Sequence, residues 1–167
     1  MSQISRERSR AKNEYVVILH DIRSVINVGA LFRTADAVGV SKIILSGFSP
    51  TPIDRFGRVR ADFAKSALGS EQTVAWEYVK TPMAAIKKLK REGFVVVGIE
   101  QDKRSVDYKK IQKQPKMAFI LGTETTGVSP SLLKQCDIVA EIPMRGMKES
   151  LNVAVAAGIV LYRILDK

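Results

Sequence analysis

At 167 residues, with 46% hydrophobic and 26% charged, the chain is long enough for one domain with a substantial core and too apolar to be disordered. Its 27 Lys and Arg outweigh 17 Asp and Glu, a formal net charge of +10 that points to a polyanionic partner, nucleic acid first, and no basic amphipathic anchor argues for a membrane surface. One cysteine, Cys136, and one histidine, His20, exclude an intrachain disulfide and a clustered Cys/His zinc site, and they fit a reducing cytoplasm.

Residues 1–14 are polar and carry Arg6, Arg8, Arg10 and Lys12 against Glu7 and Glu14. They read as a basic N-terminal tail, either solvated or laid along a phosphate backbone. The apolar centre of a signal peptide is lacking there. A single domain is expected over 15–167. Residues 15–19 are a continuous apolar, β-branched run, the pattern of a buried strand. Residues 20–29 read as a strand-end loop entering a helix over 30–38, with Gly39 as the breaker. Arg33 in that helix is either the partner of Asp36 one turn on or a guanidinium held to grip phosphate.

A second strand is expected at 42–45. A long loop over 46–61 follows, bearing Arg55, Arg58 and Arg60, candidate contacts to RNA phosphates. Residues 65–71 read as a small-residue turn and 74–79 as a third strand. Pro82 opens a helix to Arg91 with apolar residues at helical spacing. A fourth strand is expected at 94–99, and residues 103–116 are basic and unpatterned. A fifth strand at 116–121, a short helix near 129–135 and a further strand at 138–141 complete the series. Strands alternating with helical stretches define an α/β fold with a mostly parallel sheet and helices on both faces.

The chain closes with a polar loop over 142–149 and a helix from Leu151, capped by Ser150. From Leu151 to Tyr162 the only strongly polar side chain is Asn152. Such a helix is buried in the protein's own interior or in a partner, and it is shorter than the ~20 residues that span a bilayer. Asn152 either satisfies local backbone groups or aims at a ligand beside the helix N-terminus.

After the fifth strand comes Gly122-Thr123-Glu124-Thr125-Thr126-Gly127. Its spacing imitates a dinucleotide fingerprint, but Glu124 stands where the pyrophosphate must approach, and that reading is rejected. Nor is there a phosphate loop ending in Gly-Lys-Ser/Thr. Ligands of open parallel sheets bind beyond the carboxyl ends of the strands. Three strand-end loops carry polar groups there: Asn27 and Arg33, then Glu124, then Ser150 and Asn152. A Cys136–His20 nucleophilic pair is conceivable only on paper; structural roles for both are expected.

Three ordered stretches resemble the motifs of the SpoU/TrmH branch of SPOUT RNA methyltransferases: residues 27–39 (NVGALFRTADAVG), 121–127 (LGTETTG) and 142–156 (IPM through SLNVAVA). Residues 65–71 are similar to that branch too, and the resemblance spans about 15–165. It implies a ribose 2′-O-methyltransferase that uses S-adenosylmethionine without a metal, a C-terminal trefoil knot, and a homodimer. It also implies that backbone at Leu121, Gly122, Ile142, Met144 and Leu151 holds the cofactor. The residues matched to the catalytic set are Asn27, Arg33, Glu124, Ser150 and Asn152. Ala154 departs from the pattern, since many relatives carry a second Ser there, and no appended RNA-recognition domain is expected.

Arg is a poor base because its pKa exceeds ~12. Arg33 is therefore expected to grip the substrate phosphate and orient the hydroxyl. Asn27 would position Arg33 or the ribose, and Glu124, Ser150 and Asn152 would shape the pocket. A small basic domain favours tRNA over rRNA as the substrate. The rivals are a SPOUT base methyltransferase and a non-catalytic RNA-binding module.

Overall fold

The computed structural model describes residues 13–166. Strands β1 (Glu14–His20), β2 (Lys42–Ser46), β3 (Ala75–Val79), β4 (Val95–Ile99), β5 (Val106–Asp107), β6 (Lys116–Leu121) and β7 (Ile138–Glu141) form one sheet. Their order is β3-β2-β1-β6-β4-β7-β5, and every neighbouring pair is parallel. The helices are α1 (Val25–Val38), α2 (Ala61–Ala67), α3 (Ser70–Thr73), α4 (Pro82–Arg91), α5 (Pro130–Leu133) and α6 (Val153–Leu165).

Alternate residues of a strand face opposite sides of its sheet, and both sides are covered here. Val17 and Leu19 of β1 and Phe119 and Leu121 of β6 join Leu31 and Phe32 of α1, Phe63 of α2, and Val160, Leu161 and Ile164 of α6 in one core. Val16, Ile18, Ala118 and Ile120, from the same two strands, face Ile86 and Leu89 of α4 and Leu132 and Leu133 of α5 in the other. This is why the central strands read as unbroken apolar runs rather than alternating ones. The expected parallel α/β architecture is what forms.

Several boundaries differ from the sequence reading. Helix α1 begins at Val25, not at residue 30, because Ser24 caps it and its Oγ accepts from the Asn27 amide at 3.2 Å. Asn27 is therefore already helical. Residues 61–73, which include the expected turn at 65–71, hold two short helices. Leu68 (φ 52°) and Gly69 (φ 89°) lie in the left-handed region and separate them. A side chain on Gly29 would collide with Ser66 and the Ala67 backbone, so α1 and α2 meet in close contact. Beside that contact Phe32 and Phe63 pack edge to face, 5.2 Å between ring centroids. The basic stretch at 103–116 contributes β5, a two-residue edge strand.

Helix α6 corrects one expectation. Asn152, not Ser150, is its N-cap: Oδ1 of Asn152 accepts from the amides of Ala154 at 2.9 Å and Val155 at 3.3 Å. Within the single chain the helix is buried on one side only, which leaves the other for a partner. Ala157, Val160, Leu161, Ile164 and Leu165 face the core, while Val155 is 52% and Tyr162 44% exposed. Among the described residues no helix is long and apolar enough to cross a membrane.

Candidate active site

A cavity of about 320 Å³ opens at the carboxyl ends of β4, β6 and β7. That is within the ~300–1,000 Å³ usual for small-ligand sites. Its walls are the three connections leaving those strands, and each is held by bonds to another. The carboxylate of Glu100, just beyond β4, accepts from the Val128 amide at 3.0 Å and from the Gln101 amide at 2.8 Å. A side chain on Gly127 (φ 65°) would strike that carboxylate, so only glycine lets the β6 loop close on it. Gln101 donates through Nε2 to the Glu149 carbonyl at 2.6 Å, tying the β4 loop to the β7 loop. The β6 loop is also knit internally, Oγ1 of Thr123 accepting from the Thr126 amide at 2.8 Å.

The five residues matched to cofactor binding, Leu121, Gly122, Ile142, Met144 and Leu151, all line this cavity, as do Glu124 and Ser150. At its rim three polar side chains from distant parts of the chain are joined. Asn152 donates through Nδ2 to Oδ1 of Asn27 at 3.2 Å, and Asn27 donates through Nδ2 to Oε1 of Glu124 at 3.1 Å. Asn152 thus satisfies local backbone groups by capping α6, and its amide nitrogen also bonds Asn27 across the site. The strand-end loops converge as the parallel topology requires.

The electrostatics of the cavity oppose those of the whole molecule. Glu100, Glu124, Glu141 and Glu149 line it, and among the described residues no Lys, Arg or His does, in a chain of net charge +10. Such a lining favours a cationic ligand over a phosphate-rich one.

Arg33 stands apart from this group. It is exposed on α1, and no hydrogen bond or ion pair joins it to another described residue. The Asp36 carboxylate, its alternative partner, accepts from Oγ1 of Thr73 at 2.8 Å instead. Six helical residues separate Arg33 from Asn27, about 9 Å along the axis and about 120° around it.

Of the candidate RNA contacts, Arg6, Arg8 and Arg10 lie outside the described residues. Arg58 is paired with Asp54 at 2.8 Å and Arg60 with Asp62 at 2.8 Å. The Arg58 amide and guanidinium hold the Asp54 carboxyl below the usual range, and the Arg60 guanidinium does the same for Asp62. Arg55 has no such partner among the described residues and lies over the Phe56 ring, 4.8 Å from its centroid.

Cys136 and His20 do not meet. Nδ1 of His20 is 2.9 Å from Oγ of Ser46 and its Nε2 3.2 Å from Asp21. Cys136 is buried beside Gly98, and burial pushes its thiol up to about 11, the wrong direction for a nucleophile. The sequence reading passed over Glu100 and Gln101. Applying the carboxyl-end rule to the fourth strand would have found them.

The sequence model of the SpoU rRNA methylase family matches residues 14–162. The chain belongs to that family. It is 32% identical over 164 residues to a Staphylococcus haemolyticus protein described as a TrmH-family tRNA/rRNA methyltransferase, covering 98% of this chain and 63% of that one. Thus the chain spans somewhat under two thirds of the length of this relative. Its fold matches an rRNA methyltransferase of Sinorhizobium meliloti solved with AdoMet bound (TM-score 0.81, 31% identity, 91% of this chain and 56% of that one). It also matches the TrmH/SpoU tRNA-modifying enzyme of A. aeolicus (TM-score 0.78, 29% identity, 96% and 80%).

Proposed function

We propose that the chain is a methyltransferase domain that moves a methyl group from S-adenosylmethionine to a ribose 2′-hydroxyl of RNA, tRNA before rRNA. The observation that carries this is the charge inversion at the cavity: four carboxylates and, among the described residues, no basic side chain line it, within a strongly basic chain. A cationic donor suits the cavity, and a polyanionic acceptor suits the surface around it. When bound, the sulfonium supplies an electrophilic methyl group.

In this reading Leu121, Gly122, Ile142, Met144 and Leu151 hold the donor, with the Glu100 brace keeping the β6 loop in place. Asn27, Glu124 and Asn152 fix the rim where the ribose enters, and Ser150 borders it. Holding both reactants in line supplies much of the rate gain. Arg33 grips the phosphate beside the target ribose and orients the hydroxyl, whose proton passes to solvent as its oxygen takes the methyl group and the demethylated thioether departs. A guanidinium is suited to that grip and unsuited to taking the proton.

The exposed apolar side of α6, with Val155 and Tyr162, together with exposed Ile26 of α1, is the surface through which a homodimer would form. Arg33 lies seven residues after Ile26, on nearly the same side of α1, so the same contact would carry it toward the partner's site. The basic tail at 1–14, the cytoplasmic setting and the C-terminal trefoil threading belong to this reading as well. Titration calorimetry with S-adenosylmethionine and with its demethylated product tests it. Micromolar binding without metal or nucleotide is expected, and no binding of either would end it.

A further inference from the structure

Two phenylalanines stand in solvent at the same end of the sheet as the cavity, each with a guanidinium against its ring. Phe48 is 69% exposed and Phe56 is 66% exposed. Arg23 lies over Phe48, 4.5 Å from the ring centroid, and Arg55 and Arg58 lie 4.8 and 5.0 Å from that of Phe56. Phe48 and Phe56 belong to the connection leaving β2, and Arg23 to the one leaving β1, four residues before Asn27.

Both rings sit on fixed backbone. The Phe48 amide donates to Oδ1 of Asp21 at 2.9 Å, and the preceding residue, Gly47, takes φ 62° while its carbonyl accepts from the Tyr78 hydroxyl at 3.0 Å. Phe56 stands in a turn closed by the Ile53–Val59 bridge, where Oδ1 of Asp54 accepts from the amides of Phe56 at 2.8 Å and Arg58 at 3.0 Å. Leaving a phenylalanine in water forgoes the ~1.5–3 kcal/mol that burying it would give. Ordered, solvent-facing rings paired with arginines are what unpaired bases stack on, whereas duplex RNA is read by shape and backbone.

We infer that Phe48 and Phe56, with Arg23, Arg55 and Arg58, form a stacking platform for unpaired nucleotides flanking the ribose to be methylated, so that the substrate is a loop or single strand rather than a duplex. This rests on the methyltransferase reading and narrows its substrate. Arg23 beside Phe48 and Arg55 beside Phe56 have no carboxylate partner among the described residues and add positive charge there, which suits a nucleotide and not a second apolar surface.

The test uses the full chain and a single-stranded RNA oligonucleotide carrying 2-aminopurine, with a blunt duplex of the same sequence as control. Phe48→Leu and Phe56→Leu keep an apolar side chain and remove the ring face. Each should weaken single-strand binding about 5- to 150-fold, the worth of one stacked base. The 2-aminopurine quenching should fall too, with duplex affinity, salt dependence and S-adenosylmethionine affinity unchanged. Single-strand affinity unchanged in both variants, or absent in the parent protein, overturns the platform. So does a fall in sedimentation mass in either variant, which would make the rings a contact between copies. Absence of S-adenosylmethionine binding in the parent protein would instead sink the methyltransferase reading, a separate readout.

Discussion

Asn152 and Asn27 stand 125 residues apart and share one hydrogen bond, Nδ2 of Asn152 donating to Oδ1 of Asn27 at 3.2 Å. The same Asn152 side chain caps α6 through its oxygen, and the same Asn27 side chain reaches Glu124 through its nitrogen. The Asn152 amide thus fixes where the last helix begins and ties it to the first helix, and the Asn27 amide ties that first helix to the loop after β6.

The two duties of Asn152 are separable. Asn152→Ala removes both and should cost about 1 kcal/mol of stability, the worth of an N-cap. Asn152→Asp keeps the cap acceptor, loses the donor to Asn27 and sets a carboxylate near Glu124. Its melting temperature should stay near that of the parent protein while methyl transfer falls at least as far as in the alanine variant. Calorimetric melting beside single-turnover assays checks this. Full activity in the aspartate variant would leave Asn152 a helix cap and nothing more.

Glu100 touches two backbone amides of the cavity wall. Glu100→Gln keeps the shape but leaves a neutral acceptor in place of a charged one. The expected loss is about 1–2 kcal/mol, a melting temperature lower by roughly 2–8 °C. Weaker S-adenosylmethionine binding should accompany it, because the β6 loop is no longer braced. Unchanged affinity with lowered stability would confine Glu100 to folding.

Arg33 makes no ion pair with the described residues, so its removal should leave stability unaffected. Arg33→Ala should also leave S-adenosylmethionine affinity within about twofold while single-turnover transfer falls by two or more orders of magnitude, the mark of an interaction made in the transition state. Arg33→Lys should rescue poorly, since an ammonium lacks the planar fork. If Arg33 serves the partner's site, mixing Arg33→Ala with Glu124→Ala protein should restore part of the lost activity.

Burial raises the Cys136 thiol to about 11 from an ordinary 9.0. Above pH 9 the unfolded chain gives up this proton while the folded chain keeps it. The neutral thiol's contribution is therefore complete below pH 9 and is lost progressively as the pH climbs toward 11. Cys136→Ala should flatten that part of the stability curve in denaturant titrations. Equal slopes for the variant and the parent protein would count against burial as the cause.

The sheet was legible because its central strands are covered on both faces, and unbroken apolar runs such as residues 116–121 admit few alternatives. Helix α4 was legible from Pro82 and its apolar spacing. Helices α2 and α3 were not, because they are short and owe their form to contacts with α1 that no local pattern announces. Asn27, Glu124 and Asn152 were nominated by their places at strand ends and by the family motifs, yet the hydrogen bonds joining them depend on α1 starting at Val25 and α6 at Val153. Glu100 carries no spacing signal, and only its place just beyond the fourth strand marks it. Phe48 and Phe56 were hidden because exposure cannot be read from a loop's composition.

The most direct measurement is nucleoside analysis by mass spectrometry of RNA incubated with the protein and S-adenosylmethionine carrying a labelled methyl group. Total tRNA and total rRNA from a strain lacking the protein are the substrates. The account predicts label on ribose, in nucleosides methylated at the 2′-oxygen, at a defined position and more in tRNA than in rRNA. It also predicts that the label disappears with Arg33→Ala. Label on a base would contradict the proposed reaction, and RNA that binds tightly but takes up no label would make this an RNA-binding module without the transfer step.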